Sequence, residues 1–125
     1  GFAFKADTGD TRDSPAIPLC QKLLEEKARV RIHDPKALEN AREDLRGMHG
    51  DVEFMEDAYQ ACKGAHSIAL VTQWQEYREL DFQRIHDEMF KPAFMFDGRN
   101  HLDPQSLHQI GFNVFPLGKK PLLHL

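Results

Sequence analysis

A near-continuous apolar run, Ser67-Ile-Ala-Leu-Val71, constrains this chain more than any other stretch. It lies between two segments of helical periodicity, and it lacks the in-out alternation of a strand with one wet face. Runs of this kind belong to strands buried on both faces, which is the condition of a parallel sheet. The rest of the chain repeats the theme. Arg29 to His33 alternates around Val30 and Ile32 and stops at Asp34-Pro35, where proline cannot continue a ladder. Val52 to Phe54, Pro92 to Phe96 and Phe112 to Leu117 read as further strands, and Gly1 to Phe4 as the end of a first one. Helical patterns separate them: Ser14 to Lys27, Lys36 to Arg46, Glu56 to Lys63, Phe82 to Phe90 and Pro104 to Ile110.

Strict strand–helix alternation implies right-handed crossovers between parallel strands. The expectation is an α/β fold: a Rossmann-like parallel sheet of about six strands with helices on both faces. One domain over residues 1–120 is expected, with 121–125 as a tail. The first strand is short, which suggests a piece of a longer chain. At 125 residues, 41% hydrophobic and 29% charged, the chain can bury one core. A net charge of −4 disfavours nucleic acid as a partner. No apolar run reaches the roughly 20 residues that cross a bilayer, so no membrane partner is expected. Cys20 and Cys62 are isolated and fit free thiols in a reducing, cytoplasmic setting. The seven histidines are scattered without ligand spacing, so no metal site is expected.

The loop from Gly1 to Ser14 carries the chemistry. It starts apolar and then sets Lys5 and Arg12 among Asp7, Thr8, Asp10, Thr11 and Asp13, before Ser14-Pro15 opens a helix. Ser14 is expected as N-cap and Pro15 as the first helical residue. A strand, a polar loop and a helix N-terminus form a natural anion site. The loop has no G-x-G-x-x-G and so is not a dinucleotide fingerprint. For the same reason Asp34, placed where such a fold binds ribose, reads as a turn former. With strand order 3-2-1-4-5-6, Lys5, Thr72 and Arg99 follow the carboxyl ends of strands and are expected along one rim. Two cations and a hydroxyl suit a phosphate or sugar. Gly98, before Arg99, is expected to hold a backbone angle closed to other residues and to allow close approach of a ligand. Trp74 is read as a cover for the sheet edge.

Phe4, Thr8, Asp10, Arg12 and Ser14 match F-x-x-x-T-x-D-x-R-x-S, and Phe94-Met-Phe-Asp-Gly-Arg99 matches F-x-F-D-G-R. In both stretches the chain resembles the C-terminal domain of the UDP-glucose/GDP-mannose dehydrogenase family, in particular the UDP-glucose 6-dehydrogenases. Ile32-His-Asp-Pro-Lys36, Tyr59-Gln-Ala-Cys-Lys-Gly-Ala-His66, Thr72-x-Trp74 and Ile110-Gly-Phe112 extend the resemblance from Gly1 to about Lys120, with little obvious insertion or deletion.

The resemblance implies a substrate-binding domain of an enzyme that oxidises UDP-glucose to UDP-glucuronate with two NAD and a cysteine nucleophile. It implies that Phe4 and Lys5 line the substrate site, that Arg99 holds the sugar, and that Arg12 reaches towards NAD. NAD would be bound mainly by an N-terminal domain, and the partners would be that domain, a central one and further copies of the full enzyme. The catalytic cysteine would lie outside this chain, since neither Cys20 nor Cys62 matches its motif, and the chain alone is expected to be inactive. Alternatives are a stand-alone nucleotide-sugar-binding module, a dehydrogenase of another UDP-sugar or GDP-mannose, and a receiver-type domain. The largely cationic strand ends weigh against the last.

Overall fold

The computed structural model describes residues 1–124, and the chain divides into two compact units, Gly1–Ala61 and Cys62–Leu125. In the first unit, helix α1 (Ala16–Glu25) leads to strand β1 (Arg29–His33) and helix α2 (Leu38–Asp44) to strand β2 (Asp51–Met55), and the boundary falls before the last residue of the short helix α3 (Ala58–Cys62). β1 and β2 pair in parallel, Arg29 opposite Asp51 and His33 opposite Met55. α1 buries Ala16, Cys20 and Leu24, one residue per turn, and packs on β1. α2 contributes Ala41 and packs on β2, while Ile32 is the buried residue of β1.

The second unit holds a three-stranded parallel sheet in the order β3 (Ser67–Leu70), β4 (Phe94–Asp97), β5 (Asn113–Pro116). Helices α4 (Gln75–Arg78) and α5 (Phe82–Asp87) precede β4, and α6 (Pro104–Ile110) precedes β5. Asp81 caps α5 by accepting from the Arg84 N–H, and Asp103 caps α6 with Pro104 just inside. Met95 and Val114, on neighbouring strands, are 0% and 1% exposed, and Ile85, Met89, Leu107 and Phe112 are buried in the same unit. The alternate side chains of β4 and β5 carry an aromatic face, with Phe96 stacked on Phe115 at 4.8 Å between ring centres. Beyond β5 the chain turns back. Val114 and Leu122 exchange backbone hydrogen bonds of 2.8 and 2.9 Å as an antiparallel bridge. The His124 N–H donates to Asn113 Oδ1 at 2.7 Å, and the His108 and His124 rings stack. Of the expected tail, 121–125, Leu125 lies outside the described residues.

The α/β class, the parallel pairing and five of the expected strands are present, but the single sheet of about six strands is not. Two sheets of two and three strands stand in its place. The expected first strand, Gly1 to Phe4, makes no ladder because its donors are taken. The N–H groups of Phe2 and Ala3 go to the Asp34 carboxylate, and that of Phe4 to the Asp10 carbonyl. The first helix begins at Ala16, one residue later than the Ser14-Pro15 reading, although Ser14 Oγ still accepts from the Ala16 N–H at 3.2 Å.

Candidate functional site

The loop that presents Phe4 and Lys5 is fastened from several sides. Asp34, 3% exposed, follows β1 directly. Its Oδ2 accepts from the N–H groups of Phe2 and Ala3 at 2.8 and 2.9 Å, and its Oδ1 from those of Lys36 and Ala37, both at 2.9 Å. The Ser14 hydroxyl donates to the Phe2 carbonyl at 2.7 Å, which ties the two ends of the loop together. From α2, Asn40 donates to the Gly9 carbonyl and Asp44 accepts from the Thr11 hydroxyl. Asp7 and Asp13 sit at φ of 68° and 58°, a region that aspartate tolerates better than most residues. On this frame Phe2 and Ala3 are buried, whereas Phe4 is 47% exposed and Lys5 is exposed. Lys5 takes part in none of the ion pairs found among the described residues.

Arg12, in the same loop, is held differently. Its Nη2 lies 2.7 Å from Asp10 Oδ2, and its Nε contacts both carboxylate oxygens at 3.0 and 3.2 Å. Those hydrogen bonds hold the Asp10 carboxyl down at about 2 and raise the Arg12 guanidinium. The Arg12 side chain is nonetheless 89% exposed, so the pair is open to water and salt.

In the second unit Arg99 sits on the turn after β4. Asp97 ends that strand and is 3% exposed. Its Oδ1 accepts from the Arg99 N–H at 3.1 Å, and its Oδ2 from those of His101 and Leu102 at 2.9 and 2.8 Å. His101 Nε2 donates to the Trp74 carbonyl at 2.7 Å, and Asn100 Nδ2 to the Leu117 carbonyl at 2.8 Å. The carboxylates nearest in sequence are thus engaged elsewhere, Asp97 with backbone and Asp103 with the start of α6. The Arg99 guanidinium forms none of the ion pairs found among the described residues.

Two expectations about this turn change. Gly98 is needed for close approach, not for a positive φ: a Cβ there would stand 3.2 Å from the Leu70 carbonyl oxygen, and the left-handed residue is Asn100, at φ 50°. Thr72 is fully buried and does not present its hydroxyl at a rim. Trp74 is 5% exposed, as a core cover should be. Lys5 and Arg12 belong to the first unit and Arg99 to the second.

The remaining reactive groups are quiet. Cys20 is buried, which pushes its thiol up to about 11, against the low value a nucleophile needs. Cys62 is half-buried on α3. Among the described residues no three His, Cys, Asp or Glu side chains gather as metal ligands do. Nor do the described residues carry the glycine loop of a dinucleotide fingerprint. Besides the missing glycine loop, Asp34 already accepts four backbone N–H groups, so its carboxylate is closed to ribose hydroxyls. Sequence reasoning saw Asp34 as a local turn former and missed its hold on Phe2 and Ala3, because a bond across 32 positions leaves no local signal.

Residues 1–104 match the model of the UDP-glucose/GDP-mannose dehydrogenase family, UDP binding domain. The chain belongs to that family. It is 46% identical to UDP-glucose 6-dehydrogenase 5 of Oryza sativa subsp. japonica over 137 aligned positions, 95% of this chain and 28% of the relative. It is 47% identical to UDP-glucose 6-dehydrogenase 2 of Arabidopsis thaliana, with the same coverage. The chain therefore spans a little over a quarter of the length of these relatives. The aligned span exceeds the 125 residues of the chain, so the relatives carry residues inside it that this chain lacks. That corrects the expectation of little insertion or deletion. Among solved structures, a UDP-glucose dehydrogenase from Pyrobaculum islandicum superposes with a TM-score of 0.66 at 27% identity, over 90% of this chain and 24% of that one. A UDP-D-ManNAc dehydrogenase from Pyrococcus horikoshii gives 0.72 at 26%, over 94% and 24%. An NDP-N-acetyl-D-galactosaminuronic acid dehydrogenase from Methanosarcina mazei shares the fold, with a TM-score of 0.79 at 24% identity, over 96% and 24%.

Proposed function

We propose that this chain is the UDP-sugar-binding part of a UDP-glucose 6-dehydrogenase. The observation that carries the reading is the match of residues 1–104 to the family's UDP binding domain. The geometry supports it with an exposed Phe4-Lys5 step on a fastened loop and an Arg99 guanidinium not bound to a neighbouring carboxylate. Phe4 lines the substrate site, Lys5 supplies a mobile positive charge to its phosphate or sugar oxygens, and Arg99 holds the sugar with its planar fork of donors. The whole enzyme oxidises the sugar's primary alcohol to the carboxylate, giving UDP-glucuronate and passing two hydrides to two NAD. The cysteine nucleophile and most of the NAD site belong to other domains, so this chain alone is inactive. Arg12 reaches towards NAD once it exchanges Asp10 for a cofactor phosphate. No helix among the described residues is long and apolar enough to cross a membrane. In this reading the whole enzyme is a cytoplasmic homo-oligomer. Other UDP-sugars remain a second reading, supported by the Pyrococcus relative. The identities of 46% and 47% to UDP-glucose enzymes favour glucose.

Thermal denaturation of the chain with millimolar ligand tests this. A ligand that binds only the native state stabilises by RT ln(1 + [L]/Kd), about 2.7 kcal/mol at a hundredfold excess over Kd. UDP-glucose is expected to raise Tm more than NAD does. Lys5→Ala is expected to shrink the UDP-glucose shift, whereas Arg12→Ala leaves it. A larger shift with NAD than with UDP-glucose would refute the reading.

A further inference from the structure

We propose that Asp97 is a positioning residue for sugar-nucleotide binding, acting through Arg99. The inference rests on the reading that Arg99 contacts the ligand. Arg99 lies on a turn, where a long side chain is free to sample many directions and loses affinity for each one it must give up. The turn is not held by regular structure. It is held by one buried carboxylate that gathers three N–H groups, those of Arg99, His101 and Leu102, within 3.1 Å. Both oxygens are used, and each bond is charge-assisted. The base of the turn is fixed as well: the Gly98 N–H donates to the Leu70 carbonyl at 2.9 Å, and the Leu117 N–H to the Asp97 carbonyl at 3.0 Å. His101 anchors the far end on the Trp74 carbonyl. Asp97 thereby fixes the backbone from which the guanidinium starts, and its carboxylate makes no ion pair with that guanidinium. An ion pair would have held the arginine against the protein. Gathering backbone donors instead leaves the charge available and its origin rigid.

Asp97→Asn keeps the size and one acceptor but turns an NH2 group towards N–H donors. A double-mutant cycle with Arg99→Ala separates positioning from general support. UDP-glucose affinity of the 125-residue chain is measured by calorimetric titration for all four proteins, with folding checked by circular dichroism. Arg99→Ala is expected to weaken UDP-glucose by roughly ten- to a hundredfold. Asp97→Asn is expected to weaken it about tenfold in the natural background and by less than about twofold once Arg99 is gone. Equal losses in both backgrounds would overturn the inference, since a merely structural carboxylate acts whether or not the arginine is present. Full affinity in Asp97→Asn with loss in Arg99→Ala would overturn it while sparing the site reading. No loss in Arg99→Ala would overturn both. Should Asp97→Asn fail to fold, His101→Ala loosens the same turn from its other end. It is expected to cost about threefold, again only while Arg99 is present, and an Arg99-independent loss there overturns the inference equally.

Discussion

Asp34 and Asp97 are near twins that hold different things. Each is buried at the carboxyl end of a parallel strand, and each spends its carboxylate on backbone N–H groups. The Asp97 carboxylate accepts from Arg99, His101 and Leu102, all within five positions, so it shapes one turn. Asp34 joins its own turn, Lys36 and Ala37, to Phe2 and Ala3, which lie 32 and 31 positions away. A side chain thus does for the N-terminal segment what a neighbouring strand does elsewhere. Side-chain acceptors at equal burial can be local or architectural, and sequence separation distinguishes them.

The widest expected difference is in stability. Asp34→Ala strands four donors, three of them buried and two in a segment with no ladder to fall back on, and is expected to cost roughly 2–4 kcal/mol. Asp97→Ala leaves a short surface turn that can relax towards water, and about 1–2 kcal/mol is expected. Urea unfolding of both variants measures the gap; equal costs would break the comparison.

The two glycines near these aspartates sharpen it. A Cβ on Gly9 would meet the Lys36 carbonyl oxygen at 2.7 Å, a backbone atom that cannot swing aside. Gly9→Ala should push the loop off the turn that Asp34 holds, at roughly 1–3 kcal/mol. Gly98→Ala meets Leu70 oxygen at 3.2 Å, and under about 1 kcal/mol is expected. The order of the two melting temperatures is the check, and Gly98→Ala melting lower would reverse the argument.

Acid should reach the second unit first. Burial lowers His86 below its ordinary 6.5, with Lys91 and His124 acting in the same direction, while Asp87 and a hydrogen bond from the imidazole to the Gly111 backbone oppose it. The unfolded chain then takes the proton more readily. The contribution of neutral His86 is present above pH 6.5 and lost as pH falls below it. For Asp10, lowered from 3.8 to about 2, the contribution is present above pH 3.8 and lost only as pH falls towards 2. Amide protection factors, which correct for the slower intrinsic exchange at lower pH, are followed between pH 7 and 5 and are expected to fall around α5 and α6 before they fall in the N-terminal loop. The opposite order would contradict the assignment of the two groups.

The smallest effect separates the cysteines. Iodoacetamide at pH 8 is expected to label half-buried Cys62 well before Cys20, whose thiol burial has raised to about 11. Mass spectrometry of tryptic peptides reads the order, and faster labelling at Cys20 would show that α1 opens readily.

What the sequence conveyed follows the range of the forces involved. The positions of β1, β3 and β5 were legible because a strand's apolar pattern is written in neighbouring residues, as was that of α6, but β3 is not buried on both faces as its apolar run suggested, since Ser67 and Ala69 are exposed. Phe4, Lys5 and Arg99 were named from motif and position, and all three lie on loops that buried aspartates organise. The first strand was misread because Phe2 and Ala3 are as apolar as strand residues, and nothing nearby says that their donors go to Asp34. Arg12 pairs with Asp10, one of three aspartates in its loop, and nothing in the sequence singles that one out. For Gly98 a special backbone angle and close approach of a ligand were both expected; its φ is not positive, and what approaches closely is the Leu70 carbonyl, which only geometry reveals.

The return of Leu122 onto Val114 bears on how the protein behaves in a tube. An open edge of a parallel sheet offers unpaired donors and acceptors to any passing strand, and self-association begins at such rows. Here the outer rim of β5 is stitched by two antiparallel bonds and weighted by the stacked His108–His124 pair. Trimming the chain before Leu122 would leave the β5 rim adhesive, beside an aromatic face already 42% exposed at Phe96. Leu122 and His124 thus act as a selvedge, the woven border that keeps a cloth from unravelling or catching on its neighbours.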